Sequence, residues 1–279
     1  MTDHRTEQQK RETYDNWVSR GAAWDANANR MQKLARGLNQ PLIEAAGIRA
    51  GQHVLDLASG AGEPAMSIAE LVGPDGSVTA TDLVPEMLAG ARRRVTEAGL
   101  ANVAFEIADM ESLPFADDRF DAVTCRLGLM YVPSPDKAAA EARRVLKDGG
   151  RSAFLVWGPH EDNTQFMVLD RVLKEEMDID PHEGAFTPTR FGAAGAISDV
   201  LKAGSFDHVE ERELRFSPRV DPAVGFWRPQ LALRLGERLQ AMSEADRARL
   251  DRAMAAAFEA HRDGDRIQLQ AHARVGVGW

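Results

Sequence analysis

The chain has 279 residues, of which 44% are hydrophobic and 28% are charged, as in ordinary soluble globular proteins. Its formal net charge is −9, so it repels phosphate backbones, and nucleic acid is not expected as a partner. The single cysteine, Cys125, excludes an internal disulfide, and no apolar stretch approaches the roughly 20 residues of a membrane helix. Because the sequence also lacks zinc-binding spacings and an apolar signal segment, we predict a cytoplasmic protein without membrane insertion and without a metal site.

The first 50 residues are predicted to form helices. Apolar residues recur at helical spacing in "QKLARGLNQPLIEAAGI", and Tyr14, Trp17 and Trp24 add aromatic anchors to this segment. We expect residues 1–50 to be a helical lid over a ligand site. Within one structural domain, residues 51–158 would then form the ligand-binding core, and 159–279 the remainder of the sheet with helical cap insertions.

Strands and helices alternate from Gly51 to Gly158. The segment "HVLDLA" is apolar on both faces, as a strand inside a parallel sheet requires. The helix "PEMLAGARRRVTEAGL" begins with a proline, and the helix "DKAAAEARRVLKDGG" is expected to run to Gly149 and Gly150. Repeated strand–helix units of this length predict an α/β fold with a Rossmann-like, doubly wound sheet.

Beyond Pro159 this alternation is lost. The range His160–Gly204 is mixed and partly helical, and Phe206–Phe216 alternates like a half-exposed strand. The range Pro218–Asp263 is mainly helical. The alternation returns in Arg266–Val277, which is predicted to be one last strand.

The turn in "VLDLASGAGEPA" is the clearest sign of a ligand. Gly60 and Gly62 let the backbone approach a ligand closely, and the following helix offers unpaired N–H groups to a negative group. With Ala65 they match the dinucleotide pattern G-x-G-x-x-G/A. Asp82 ends the second strand, 20 residues after Gly62, where a carboxylate can accept hydrogen bonds from a ribose diol. These features fit NAD and S-adenosylmethionine alike.

Three further features favour S-adenosylmethionine. Asp56 lies inside the first strand, where its carboxylate can help to anchor an ammonium group, directly or through the loop, but suits a pyrophosphate poorly. Asp109 follows the third strand and can accept a hydrogen bond from an adenine amino group while Met110 packs on the ring. A late strand after a helical insert is also foreign to a plain dinucleotide-binding domain.

Four stretches resemble the class I S-adenosylmethionine-dependent methyltransferases, and most closely their UbiE-like group, which acts on small molecules. They are "VLDLASGAGEPA", "VTATDLVPEML", "ADMESLPFADDRFDAVTCRLGLMYV" and "EARRVLKDGGRSAFLVW". The resemblance implies a seven-stranded sheet whose last strand is antiparallel. It also implies that the cofactor lies across the carboxyl ends of the first, second and fourth strands.

The resemblance assigns roles around the glycine turn. Asp56, Ser59, Gly60 and Gly62 would surround the methionine part of the cofactor. Asp82 would hold the ribose hydroxyls. These positions therefore form the polar half of the predicted cofactor site.

The same resemblance assigns the adenine and sulfonium ends of the site. Leu83 would pack on the adenine, with Asp109 and Met110 at its rim. Arg126 and Leu127 follow the fourth strand and would lie close to the sulfonium. The product of the reaction would be S-adenosylhomocysteine.

The turn also departs from the quinone-methylating members. Those enzymes usually carry Thr-Gly-Asp, where this chain has Ala61, Gly62 and Glu63 followed by Pro64. The departure argues against a quinone acceptor and leaves the cofactor prediction unchanged.

Residues of the acceptor side are expected on the first helices and after the fourth and fifth strands. Tyr14 and Trp24 are candidates for a lid, with helix packing as the alternative role. His160 is a candidate base or a solvated loop residue, and Asn163 either orients the acceptor or caps a helix. Tyr131 either faces the acceptor or packs in the core.

Methyl transfer from a sulfonium is an in-line displacement in which positioning and exclusion of water matter most. We therefore predict methylation of a small, apolar or aromatic metabolite, typical of secondary metabolism. A lipid or amine methyltransferase and a non-catalytic S-adenosylmethionine-binding protein stay as alternatives, and an NAD-dependent oxidoreductase is disfavoured by Asp56. The partner is a small-molecule acceptor, and a homodimer is compatible with the sequence.

Overall fold

The structure is a computed structural model that describes residues 2–180 and 187–279. For residues 2–5, 22, 23, 26, 27 and 29–36 it describes the backbone only. No described helix has both the length and the apolar character that crossing a membrane requires.

In the described ranges, ten strands form two sheets. They are β1 (His53–Leu57), β2 (Ser77–Asp82), β3 (Val103–Ile107), β4 (Phe120–Arg126), β5 (Leu146–Trp157), β6 (Val209–Phe216), β7 (Arg219–Val220), β8 (Arg262–Asp263), β9 (Arg266–Gln268) and β10 (Ala271–Gly278). The large sheet has seven strands in the order β3-β2-β1-β4-β5-β10-β6, and the small one has three in the order β7-β9-β8. Strand β10 runs antiparallel to both β5 and β6, whereas β1 to β5 are parallel.

Helices cover both faces of the large sheet and build a cap beside it. They are α1 (Thr2–Ala45), α2 (Ala65–Val72), α3 (Pro85–Glu97), α4 (Pro135–Val145), α5 (Thr164–Met177), α6 (Ala196–Ala203), α7 (Arg228–Leu235), α8 (Glu237–Ala241) and α9 (Glu244–Glu259). The predicted doubly wound, seven-stranded fold with an antiparallel last strand is therefore confirmed.

The burial of β1 explains why the sequences of the central strands are continuously apolar. Val54 and Leu55 point to opposite faces and are both fully buried, in two different apolar clusters. A third cluster lies away from the large sheet and joins α5, α7, α9 and the small sheet. We call these elements the cap, which therefore has an apolar core of its own.

Two predicted boundaries were wrong. The helix expected to reach Gly149 and Gly150 ends at Val145, because Leu146 already has the extended backbone with which β5 begins. A positive φ of 75° at Gly149 then turns the chain, and the register between β4 and β5 shifts at this place.

The single last strand predicted for residues 266–277 is two strands in different sheets. Between β9 and β10, the backbone N–H of Leu269 donates to the carbonyl of Pro218 and that of Gln270 donates to Oγ1 of Thr164. Leu269 is buried in the cap core. The alternation of apolar and polar residues therefore continues although the chain passes from one sheet to the other. The several helices expected in the first 50 residues are likewise one helix, α1, with Pro41 inside its last turns.

Candidate functional site

The carboxyl ends of β1, β2 and β4 meet at one edge of the large sheet, where open α/β sheets bind ligands. The loop after β1 begins with Ala58 at a positive φ of 51°, and its Ser59 donates from the backbone N–H to the carbonyl of Thr81 on β2 at 2.8 Å. The turn is thus bonded directly to the neighbouring strand. Gly60 follows with a positive φ of 52°, a conformation that favours glycine.

Asp82 holds two backbone groups at this edge. Its Oδ2 accepts from the N–H of Gly60 and its Oδ1 accepts from the N–H of Val84, both at 3.0 Å. Burial raises the pKa of the Asp82 carboxyl, and these hydrogen bonds oppose the rise. The side chain faces a cavity, so the carboxylate that fixes the turn is also available to a ligand.

Asp56 lies beneath the turn and does not line the cavity. Its side chain is fully buried; Oδ1 accepts from the hydroxyl of Thr124 at 2.7 Å, and Oδ2 has no hydrogen-bond partner among the described residues. Burial raises the pKa of this carboxyl to about 6. Its backbone carbonyl accepts from the hydroxyls of Ser59 and Thr81, so Asp56 contacts the site through the loop.

We call the space above the turn the first cavity. It has an empty volume of about 1190 Å³, including its open mouth. Most of the residues predicted to bind the cofactor line it: Ser59, Gly60, Asp82, Leu83, Asp109, Met110, Arg126 and Leu127. Gly62 instead packs towards α3, because a Cβ built there would lie 3.4 Å from the Cβ of Ala91.

A pair of carboxylates at one end of the first cavity is bound to helix α1. Nζ of Lys10 lies 2.7 Å from Oδ2 of Asp109 and 2.7 Å from Oε2 of Glu111. Oδ1 of Asp109 accepts from the backbone N–H of Glu111 at 2.8 Å. Met110 packs between these residues against the core, so the predicted adenine rim is closed from above by α1.

A buried polar network joins α1 to the opposite end of the first cavity. Nη1 of Arg126 donates to Oδ1 of Asn39 at 2.8 Å, and Nδ2 of Asn39 donates to Oε2 of Glu63 at 2.9 Å. Burial lowers the pKa of the Arg126 guanidinium, and the charges of Glu63 and Asp56 oppose this. A cation is therefore held at the end of β4 by oppositely charged and amide groups.

A second cavity adjoins the first, and Trp24, Arg126 and Leu127 line both of them. It has an empty volume of about 900 Å³, including open solvent. Its walls are mainly apolar and aromatic, with a few amide side chains: Leu38, Trp157, Asn163, Gln165, Phe166, Phe216, Pro218, Val220, Phe226, Gln230, Leu269, Gln270 and Ala271. Nε2 of Gln165 is buried there with no hydrogen-bond partner among the described residues.

Aromatic side chains of α1 cover the first cavity. The ring of Trp17 meets those of Trp24 and Tyr131 edge-on, with centroid distances of 5.9 Å and 5.1 Å. Nε1 of Trp24 lies 3.3 Å from the position that a Cβ on Gly60 would occupy. The structure therefore brings Trp24 and Tyr131, two of the predicted acceptor-side residues, into the cavity walls, together with Trp17.

Two other predicted residues are elsewhere. Among the side chains that the structure describes, Tyr14 and His160 line neither cavity. Nε2 of His160 lies 2.7 Å from Oδ2 of Asp170, which places the imidazole in an ion-pair network of the cap. Asn163 does line the second cavity, but its side chain bridges the carbonyl of Pro159 and the N–H of His272 without capping α5.

Several residues of the site carry no recognisable signal in the sequence. Trp157, Phe166, Phe216 and Phe226 come from different elements and share no spacing, so only the fold brings them together. Glu63 also lines the first cavity, and its position directly after Gly62 in the glycine turn is the signal that could have identified it.

Comparison with known proteins agrees with this geometry. Residues 54–150 match a family described as "Methyltransferase domain". The ubiquinone/menaquinone biosynthesis C-methyltransferase UbiE of Pseudomonas putida is 46% identical over 114 residues, which are 40% of this chain and 44% of the relative. This chain therefore aligns with less than half of that relative's length.

Solved structures show the same fold at low sequence identity. The YcgJ protein of Bacillus subtilis has a TM-score of 0.54 and 22% identity over 86% of this chain and 96% of its own. Phosphoethanolamine N-methyltransferase 2 of Haemonchus contortus, solved with S-adenosyl-L-methionine, has a TM-score of 0.52 and 19% identity over 87% of this chain and 52% of its own.

These matches agree with the predicted resemblance. Residues 54–150 are similar to a methyltransferase domain, and the core of the chain is similar to the UbiE methyltransferases. The solved structures show the same fold.

Proposed function

We propose that this protein transfers the methyl group of S-adenosylmethionine to a small acceptor that binds in the second cavity. The observation that carries the proposal is the junction of the two cavities at Trp24, Arg126 and Leu127. A cofactor site that opens into a separate, largely aromatic chamber gives both reactants a place. A protein that only binds the cofactor needs no such chamber.

The residues of the first cavity fit the cofactor. Asp82 offers a carboxylate to a ribose diol, and Leu83 and Met110 offer apolar surface to an adenine ring. The Ser59–Gly60 backbone would lie along the methionine part. The bound cofactor supplies a methyl group that is already activated by the positive sulfur.

The protein's own contribution is then to orient and to exclude water. Leu127, with a φ of 61°, puts its apolar side chain where the two cavities meet. Trp24 covers the same junction from α1. An acceptor held between these groups would be aligned with the sulfonium and shielded from water on that side. Among the residues that the structure describes, neither cavity lining includes a histidine that could act as base.

The acceptor is the least constrained part of the proposal. The UbiE relative is a C-methyltransferase of ubiquinone and menaquinone biosynthesis, and the aromatic walls here suit a ring of that kind. The first experiment measures S-adenosylhomocysteine formation by purified protein with phenols, quinols, amines, carboxylates and lipids. Turnover with one class supports the proposal, and absence of cofactor binding would overturn it.

Asp82→Asn tests the cofactor site itself. The change keeps the size of the side chain but removes the carboxylate, so we expect at least about tenfold weaker binding of S-adenosylmethionine. Asp75→Asn is the matched control, because Asp75 is exposed in the turn before β2. Calorimetric titration with S-adenosylmethionine measures the affinity of both variants. Equal affinities of Asp82→Asn and Asp75→Asn would contradict the role given to Asp82.

A further inference from the structure

One guanidinium group lies where the two cavities meet. Arg126 is the last residue of β4, a strand that lies between β1 and β5 in the large sheet. Its partly buried side chain lines both the first and the second cavity. A ligand that fills either cavity would therefore contact Arg126.

Arg126 is the one charged side chain of the second cavity among the lining residues that the structure describes. The others are apolar, aromatic or amide side chains. A lone cation in such surroundings is unfavourable unless an opposite charge or hydrogen-bond acceptors compensate it. The second cavity is thus complementary to a ligand that combines an apolar body with an anionic group.

The protein itself satisfies only part of the Arg126 guanidinium. Nη1 donates to Oδ1 of Asn39 at 2.8 Å, and the side chain makes no other hydrogen bond and no ion pair with the described residues. The nearby Glu63 carboxylate is engaged elsewhere, since its Oε2 accepts from Nδ2 of Asn39 at 2.9 Å and from the hydroxyl of Ser67 at 2.7 Å. The Asp56 side chain is fully buried and lines neither cavity. Further N–H donors of the guanidinium are therefore available to a ligand.

The bound cofactor would add a second positive charge at the same place. Methyl transfer between the cavities requires the sulfonium to lie near the junction lined by Trp24, Arg126 and Leu127. Like charges repel one another more strongly where water does not screen them. An anionic oxygen of the acceptor would offset both positive charges, and a guanidinium holds such a group by directed, charge-assisted hydrogen bonds.

We propose that Arg126 recognises an anionic oxygen group, a carboxylate or a phenolate, carried by the methyl acceptor. This rests on the proposed function and narrows it: the acceptor has an apolar or aromatic body, which fits the second cavity, and an anionic group held at the junction. Neutral molecules of the same shape are then poor acceptors. Arg126 is in this assignment a specificity-determining residue.

The test compares a charged probe with a neutral one of similar shape. Protein saturated with S-adenosylhomocysteine is titrated with benzoate and with benzamide, and calorimetry measures both affinities. We expect benzoate to bind at least about tenfold more tightly than benzamide, because charge-assisted hydrogen bonds are the stronger ones. Equal affinities, or no binding of benzoate, would overturn the recognition of an anionic group.

Variants of Arg126 assign the preference to this side chain. Arg126→Gln should reduce the preference for benzoate about tenfold, and Arg126→Lys, which keeps the charge but loses the planar fork, should retain part of it. Arg171→Gln is the matched control, because Arg171 is exposed on α5, the helix that carries the wall residues Gln165 and Phe166.

The ratio of the two affinities separates recognition from folding, since a variant that only loosened the structure would weaken both probes alike. An unchanged ratio in Arg126→Gln would overturn the role of Arg126. If that variant does not fold, the ratio in Arg126→Lys decides in its place, and a value equal to that of the parent would overturn the role.

The cofactor carries a carboxylate of its own, which is the other source of an anionic group at the junction. The same variants are therefore titrated with S-adenosylhomocysteine and with 5′-methylthioadenosine, which lacks the amino-acid part. We expect Arg126→Gln to weaken both by a similar factor, less than about threefold. A loss of about tenfold or more that is confined to S-adenosylhomocysteine would assign the guanidinium to the cofactor and overturn the recognition of the acceptor.

The same samples report on the proposed function separately. If the parent protein fails to bind S-adenosylhomocysteine, the methyltransferase proposal falls, and the role of Arg126 falls with it. If it binds the product but does not prefer benzoate, only the role of Arg126 is rejected.

Discussion

Asp56 shows how one buried side chain limits the pH range of the whole site. Its carboxyl has no exposed surface, and among the described residues it accepts a hydrogen bond from the hydroxyl of Thr124. Because burial raises its pKa from 3.8 to about 6, the folded protein binds this proton more tightly than the unfolded chain does. The stabilisation is therefore present in full only below pH 3.8 and is lost as the pH rises through 6.

Asp56→Asn tests this linkage. The amide does not ionise, so the unfolding free energy of the variant relative to the parent should increase by roughly 2–3 kcal/mol between pH 4 and pH 7.5. Denaturant titrations of both proteins at four pH values measure the difference. A difference that does not change with pH would contradict the raised pKa.

At the scale of the element, α1 makes polar contacts at both ends of the first cavity. Lys10 binds Asp109 and Glu111 at one end, and Asn39 binds Arg126 and Glu63 at the other. Between them, Asp25 pairs with Arg93 and Arg94 on α3. We therefore propose that the predicted lid is this one helix, held in place at three points.

Lys10→Ala removes the contact at the amino-terminal end of α1. Asp109 is partly exposed, but the Glu111 side chain is buried, so the variant leaves one buried carboxylate without its cation, and we expect a loss of stability of roughly 3 kcal/mol. Dissociation of S-adenosylhomocysteine should become several-fold faster, because the end of the helix over Asp109 is released. Stopped-flow fluorescence measures the rate, and Arg11→Ala on the exposed side of the same helix is the control. Unchanged rates in Lys10→Ala would argue against a lid.

The sequence predicted the central elements well where periodicity and turn chemistry agree. Strand β1 is apolar on both faces, and α3 begins at Pro85 as predicted. The sequence-based prediction was wrong where tertiary contacts determine the structure. The residues before Gly149 have high helix propensity, but the helix ends before Leu146 because Leu146 pairs with Phe120 on β4. The division between β9 and β10 could not be predicted either, because one continuous alternation of apolar and polar residues runs through two strands of different sheets.

At the scale of the whole molecule, the two cavities differ in how far the sequence reveals them. Gly60, Asp82 and Asp109 lie at or just beyond the carboxyl ends of β1, β2 and β3, so the fold alone brings them to one edge of the sheet. The second cavity takes Trp157 from β5 and Phe226 from the segment before α7, and no local pattern connects them. The second cavity depends on long-range packing, and no spacing in a single sequence reveals such packing.

Ala271→Phe tests whether the second cavity holds the acceptor. Ala271 is the first residue of β10 and lines the second cavity but not the first. A phenylalanine side chain at this position should therefore fill space in the second cavity. We expect turnover with the best acceptor of the panel to fall about tenfold or more, while the affinity for S-adenosylmethionine changes less than about twofold. Ala256→Phe, at an exposed position of α9, controls for the added ring. A parallel loss of cofactor affinity would mean that the cavities are not separate sites.

The separate apolar core of the cap has a consequence for how such a chain can change over time. The wall residue Phe226 packs with Trp227 and Phe258 in a cluster that shares no member with the clusters on the large sheet. Substitutions in that cluster can be accepted or rejected on their own, without disturbing the strands that carry Gly60 and Asp82. If the second cavity holds the acceptor as proposed, divergence of the cap would alter part of the acceptor site by itself, and a combinatorial library confined to the cap is the natural starting point for changing acceptor preference.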